Sequence, residues 1–298
     1  MKKPIKIILI ILGSLAVILL AMFVFAKILG AELRLYTSKN NLKSIYEYIP
    51  LENIDNINIY SKFADINIKS TEEENLKVVK YYTNNDNSYE KEVSDSNISI
   101  SDFNNYKCIG FCINMPHYDI FIPASYKGNI TIKTVSGDIT SSKDLIAPEL
   151  NIKTTNGNIT FDNTINTNTI SINSVSGDIT INDITADHLN VSTTSGDLNI
   201  ISIDSPTNII TTASGSIALN NLVGGIDINS ISGDVNINLQ ELILNSEIKT
   251  ISGNVDINTN GEMNLETDTI TGNVKINGSL TSGKKLFIKT TSGDISVK

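Results

Sequence analysis

The phrase "TVSGDIT", Thr134 to Thr140, returns along the chain as "SVSGDIT", "TTSGDLN", "SISGDVN" and "TISGNVD". Its glycines, Gly137, Gly157, Gly177, Gly196, Gly215, Gly233, Gly253, Gly272 and Gly293, are separated by 20, 20, 19, 19, 18, 20, 19 and 21 residues. A unit that short cannot bury an apolar face alone, so nine of them at a nearly fixed period predict a solenoid.

The apolar columns say which kind. Two residues after each glycine stand Ile139, Ile159, Ile179, Leu198, Ile217, Val235, Val255, Val274 and Ile295, all aliphatic. Four residues after, only Ser141 is polar, and five residues before, only Thr267 departs from Ile or Val. A spacing of two is the strand period, so each unit has a short strand on either side of the glycine. Stacked windings of 19 or 20 residues give parallel in-register sheets around a narrow aliphatic core: an all-β parallel β-solenoid of about nine regular coils. Coils about 4.8 Å apart make a rod of roughly 40 Å.

The repeated phrase reads as a corner. Glycine supplies a positive φ or a tight bend, and the Asp or Asn after it suits a turn. Before the repeats, "NINIYSKFADINIKS" follows the same alternation, with Ala64 where a corner glycine would stand. The expected organisation is a cytoplasmic N-terminus (1–6), a transmembrane helix (7–28), a spacer with a short helix (29–50), irregular entry coils (51–128) and the regular repeats (129–298).

The transmembrane expectation rests on "IILIILGSLAVILLAMFVFA" between Lys6 and Lys27, twenty uncharged residues, the length needed to cross about 30 Å of hydrocarbon. Lys2, Lys3 and Lys6 hold its N-terminal side in the cytoplasm and place the rest outside. A cleaved signal peptide is the competing reading, but its apolar stretch is usually about 7 to 15 residues.

Of 23 Lys+Arg and 32 Asp+Glu, 14 of each precede Gly128, so the repeats carry 9 against 18. An acidic rod without a basic stripe excludes nucleic acid as an expected partner. Cys108 and Cys112 stand in "CIGFC". An extended strand would hold their Cα atoms about 13 Å apart, so a disulfide requires a tight turn at Gly110. The alternative is a pair of small core residues.

An N-terminal apolar segment, the "IFIP" strand (Ile120 to Pro123) and serial "T-x-S-G-D-[IV]-x-[IV]" coils resemble the putative-adhesin family of bacterial envelope proteins, a domain of unknown function with β-strand repeats. The resemblance covers about Leu51 to Lys298. It implies an extracytoplasmic β-solenoid, frequent in Gram-positive bacteria and sometimes found beside envelope-stress regulators. It implies no activity, cofactor or functional residue.

Three chemistries were weighed against shape. The Asp column at the corners offers oxygens to Ca²⁺, but four of nine corners carry Asn or Ser, and the Gly-rich calcium nonapeptide is missing. The Thr and Ser column three residues before each glycine could meet a glycan, or simply pack as good strand formers. A polysaccharide-cleaving β-helix would need paired carboxylates with aromatic or cationic groups nearby. From Gly128 onward there is no Arg, Tyr or Trp, and Phe161, Phe287 and His188 are the only aromatic rings. The sequence therefore predicts no catalytic, cofactor-binding or metal-ligating residues. It predicts a membrane-anchored, non-catalytic scaffold whose partner is an envelope protein or a cell-surface polymer. A sensor or accessory role in envelope stress is the alternative.

Overall fold

A computed structural model describes residues 42–82, 89–102, 116–277 and 282–298. Those residues form strands and turns and no helix. The expected transmembrane helix and the Cys108 and Cys112 pair lie outside the described residues.

The N-terminal part carries β1 (Lys43–Ile49), β2 (Asn56–Ser61), β3 (Asp65–Thr71), β4 (Leu76–Tyr82), β5 (Glu90–Ser94), β6 (Asn97–Asp102) and β7 (His117–Pro123). The repeats begin with β8 (Asn129–Thr134), β9 (Ile139–Ser141), β10 (Leu145–Thr154), β11 (Ile159–Ser174) and β12 (Ile179–Thr193). They continue through β13 (Leu198–Thr212), β14 (Ile217–Ser230), β15 (Val235–Leu242), β16 (Ser246–Thr250) and β17 (Val255–Thr259). The final units are β18 (Met263–Thr269) with β19 (Val274–Ile276), and β20 (Lys284–Thr290) with β21 (Ile295–Val297).

The repeats pair in parallel and in register. Ile159 lies between Ile139 and Ile179, and Ile172 between Ile152 and Val191. Each coil points three apolar segments inward, as in Leu189 and Val191, then Leu198 and Ile200, then Ile203, all buried. A β-branched residue suits a pleated surface whose inner half is buried, and stacking like on like fills the core without voids. The result is a parallel β-solenoid of about eight turns, counted as steps between nine stacked corners.

Two features differ from the sequence reading. The first is the order of coils. The strands flanking Gly293 insert between those of Gly253 and Gly272: β20 pairs with both β16 and β18, and β21 with both β17 and β19. The entry end mirrors this, because β2 lies between β6 and β8, and β3 between β7 and β9. Both exchanges are possible because every coil presents the same aliphatic columns. The second concerns the segment read as a spacer. Residues 43–49 form β1, which pairs antiparallel with β4, while β4 pairs antiparallel with β7 and β5 with β6.

Candidate functional site

The corner was the motif most open to a chemical reading, and its geometry is structural. Gly137, Gly157, Gly177, Gly196, Gly215, Gly233, Gly253, Gly293 and Gly272 form one column in that spatial order. A Cβ on any of them would approach the carbonyl oxygen of the residue below closer than 3.0 Å, a separation that real Cβ atoms essentially never show. Glycine is required by coil-to-coil approach, not by a positive φ. Among the described glycines, positive φ occurs at Gly224 and Gly283, not at the corners. Ala64 begins the column, with its carbonyl beneath Gly137.

The Asp or Asn after the glycine ties the coils together. Its Oδ1 accepts the backbone N–H of the equivalent residue one coil on. Asn158 N–H donates to Asp138 at 2.7 Å, Asp178 N–H to Asn158 at 3.0 Å and Asp197 N–H to Asp178 at 2.9 Å. The ladder starts with Asp138 N–H donating to Asp65. It ends through Asn254, Asp294 and Asn273, following the exchanged coil order. Asp and Asn offer the same acceptor, which explains their interchange and accounts for the column without a metal. Ser216 is too short to reach, and no such bond joins it to Asp234 N–H.

The hydroxyl column faces inward. Thr154, Ser174, Thr193 and Thr212 are buried and accept the corner glycine N–H at 2.9 to 3.1 Å. These hydroxyls satisfy buried backbone donors and are unavailable to a glycan surface. Ser230 and Thr250, buried in the same column, leave their hydroxyls without a hydrogen bond.

What the sequence reading missed is the residue between the hydroxyl and the serine of the phrase. Val135, Thr155, Val175, Thr194, Ala213, Ile231, Ile251, Thr291 and Ile270 form an outward ridge along the corner, and none is buried. It is most apolar toward the C-terminal end, where Ile231, Ile251 and Ile270 are 55%, 53% and 71% exposed. The signal was present as a run of mostly β-branched residues at a position that structure alone does not require to be apolar. Beside this ridge runs a shallow groove of about 540 Å³, walled by Thr194, Ala213, Ile231 and Ile251 on one side and by Ser192, Thr211, Asn229 and Lys249 on the other.

A second concavity, also about 540 Å³, lies at the N-terminal end between Pro50, Ile54, Glu74, Tyr126 and Gly128. Burial there pushes the Tyr126 hydroxyl well above the usual phenol range. Elsewhere in the entry coils, Lys80 is fully buried with its Nζ 3.2 Å from Asp102, which also accepts the Tyr118 hydroxyl at 2.6 Å. Asp187 and His188 are both exposed on the repeats. Among the described residues no group of three or more His, Cys, Asp and Glu side chains converges.

Comparison with solved structures gives the same fold. A crystal structure of a putative adhesin from Bacteroides fragilis NCTC 9343 matches at TM-score 0.51 and 15% identity, covering 88% of this chain and 98% of that one. A putative lipid binding protein from Parabacteroides distasonis ATCC 8503 matches at TM-score 0.48 and 17% identity, over 86% and 97%. A putative cell adhesion protein from Clostridium sporogenes ATCC 15579 matches at 0.33 and 15%, over 87% and 99%. No curated protein matches the chain. The sequence pattern of one family covers residues 54–298, which spans every repeat and nearly all of the entry coils: the chain belongs to the Toastrack DUF4097 family.

Proposed function

We propose that this protein is a membrane-anchored, extracytoplasmic β-solenoid serving as a non-catalytic adhesion or interaction scaffold at the cell envelope. The observation that carries this reading is the ridge from Val135 to Ile270 with the groove beside it, an extended apolar contact surface along one corner of the rod. Exposed apolar patches that structure does not require mark interaction sites. The twenty-residue apolar run before Lys27 supports an anchor, and the names of several solved relatives, which include adhesins, are in keeping with a binding role. The partner is an envelope protein or a cell-surface polymer held by non-covalent contact.

An accessory role beside a membrane-embedded partner draws support from the concavity at Pro50 and Tyr126, in the entry coils at the N-terminal end of the rod. The two readings separate in one experiment. Full-length protein and an anchor-free form are incubated with purified wall polymer and with solubilised membrane proteins. Adhesion predicts that the anchor-free rod binds, and that Ile231→Asp with Ile251→Asp lowers its affinity about tenfold or more. An accessory role predicts loss of binding without the anchor and no effect of the ridge variants.

A further inference from the structure

We infer that the C-terminal end of the rod is a docking edge for a second copy of the same chain. The outermost coil there is β18 with β19. Among the described residues, each of these strands is paired on one side alone, β18 with β20 and β19 with β21. The outer side presents a row of backbone donors and acceptors, a ready template for another strand.

The apolar columns are open at the same place. Val274 and Ile276 occupy the two positions after the corner that are buried elsewhere, as in Ile179 and Ile181, yet each is 42% exposed. Among the described residues no strand of the chain covers that side.

Charge selects a second copy as the occupant. Residues 128–261 carry 14 carboxylates against 4 lysines, so like rods repel along most of their length. Residues 262–298 carry 4 carboxylates against 5 lysines. Two copies therefore meet with least repulsion at this end. Symmetry supplies the fit. A twofold axis perpendicular to the rod and passing through the Gly272 corner sets β18 of one copy antiparallel to β19 of the other, twice over, as an isologous interface requires. That pairing turns Val274 and Ile276 toward Leu265 and Thr267, and brings Lys275 beside Glu266 and Asp268, whose carboxylates it would share with Lys285 and Lys289 of their own chain.

The test uses the full chain in detergent micelles, followed by sedimentation equilibrium. Wild-type protein is expected to dimerise, and Val274→Lys with Ile276→Lys to weaken the dimer about tenfold or more. Both residues are exposed, so unchanged circular dichroism and melting will show that the variant folds. Lys275→Glu, set against Glu266 and Asp268, is expected to weaken the dimer, and Lys275→Arg to keep it. A wild-type chain that stays monomeric at about 100 μM, a concentration a weak specific contact would reach, overturns the inference. So does a dimer that survives the lysine pair, since association would then run through the apolar N-terminal run or the ridge.

Discussion

The two ends of the rod close the same kind of core by different means. At each end the terminal coil is tucked one layer inside, under a coil that lies nearer the middle of the sequence. Beyond that shared device they diverge. The N-terminal end adds three antiparallel strands, β1, β4 and β5, and buries Lys80 against Asp102 and Tyr118. At the C-terminal end the described residues stop at β18 and β19, with Val274 and Ile276 open to solvent. A solenoid needs a polar or covered last layer at each end to stay soluble. One end is covered by its own chain; the other is left for something else.

The middle of the rod sets the scale against which either end is measured. Gly177→Val should do the most damage, because its side chain would occupy the space of the Gly157 carbonyl. A loss of about 4 kcal/mol or more is expected in urea melts, whereas Ala64→Gly at the head of the same column should cost about 1 kcal/mol or less. Equal effects would show that the column is not closely stacked.

Next in size is Asp102→Asn, which leaves Lys80 buried opposite a neutral group. Breaking a buried pair from one side costs about 3 kcal/mol or more. The loss should be local: hydrogen exchange is expected to quicken in β4, β6 and β7 while β11 to β13 keep their protection. Uniform acceleration would mean that the cap and the middle melt as one unit.

Asp178→Ala tests the coil-to-coil ladder. It removes the acceptor for Asp197 N–H, with an expected cost of about 1 kcal/mol, while Asp178→Asn should leave the melting temperature within about 1 °C. The smallest effect belongs to Asp65, at the entry end of the ladder. Burial raises its carboxyl above the ordinary value, with the backbone N–H of Asp138 opposing that shift. An acid whose pKa is raised by folding costs stability at neutral pH, and the cost disappears as pH falls through the folded and then the unfolded pKa. Asp65→Asn should therefore melt slightly above wild type at pH 7 and converge with it below about pH 4. A gap that widens in acid would contradict the assignment.

The corners and their aliphatic columns were readable in the sequence because strand period and unit length coincide at Gly137, Ile139 and their successors. The coil exchange was not. Coils that present the same columns are interchangeable neighbours, so nothing local tells Gly293 to sit on Gly253. One trace exists: Thr267 replaces the usual Ile or Val, and Lys275 lies between exposed Val274 and Ile276, marks of a coil with one uncovered side. β1 reads as spacer in the sequence because its register is set by β4, where Ile45 meets Lys80 35 residues downstream, whereas repeats announce their own register. The ridge escaped notice because exposed β-branched residues in a strand-rich chain look like ordinary strand formers, and only the turn geometry shows that they point outward.

Tucking the last winding under its predecessor has a consequence for biosynthesis. Translation and export deliver the chain from its N-terminus, and a simple spiral could zip up turn by turn as it emerges. Here the layer that rests on Gly253 is made after the one it supports, so β18 and β19 have no seat until β20 and β21 have followed them. Loss of β20 and β21 would therefore strip two layers instead of one.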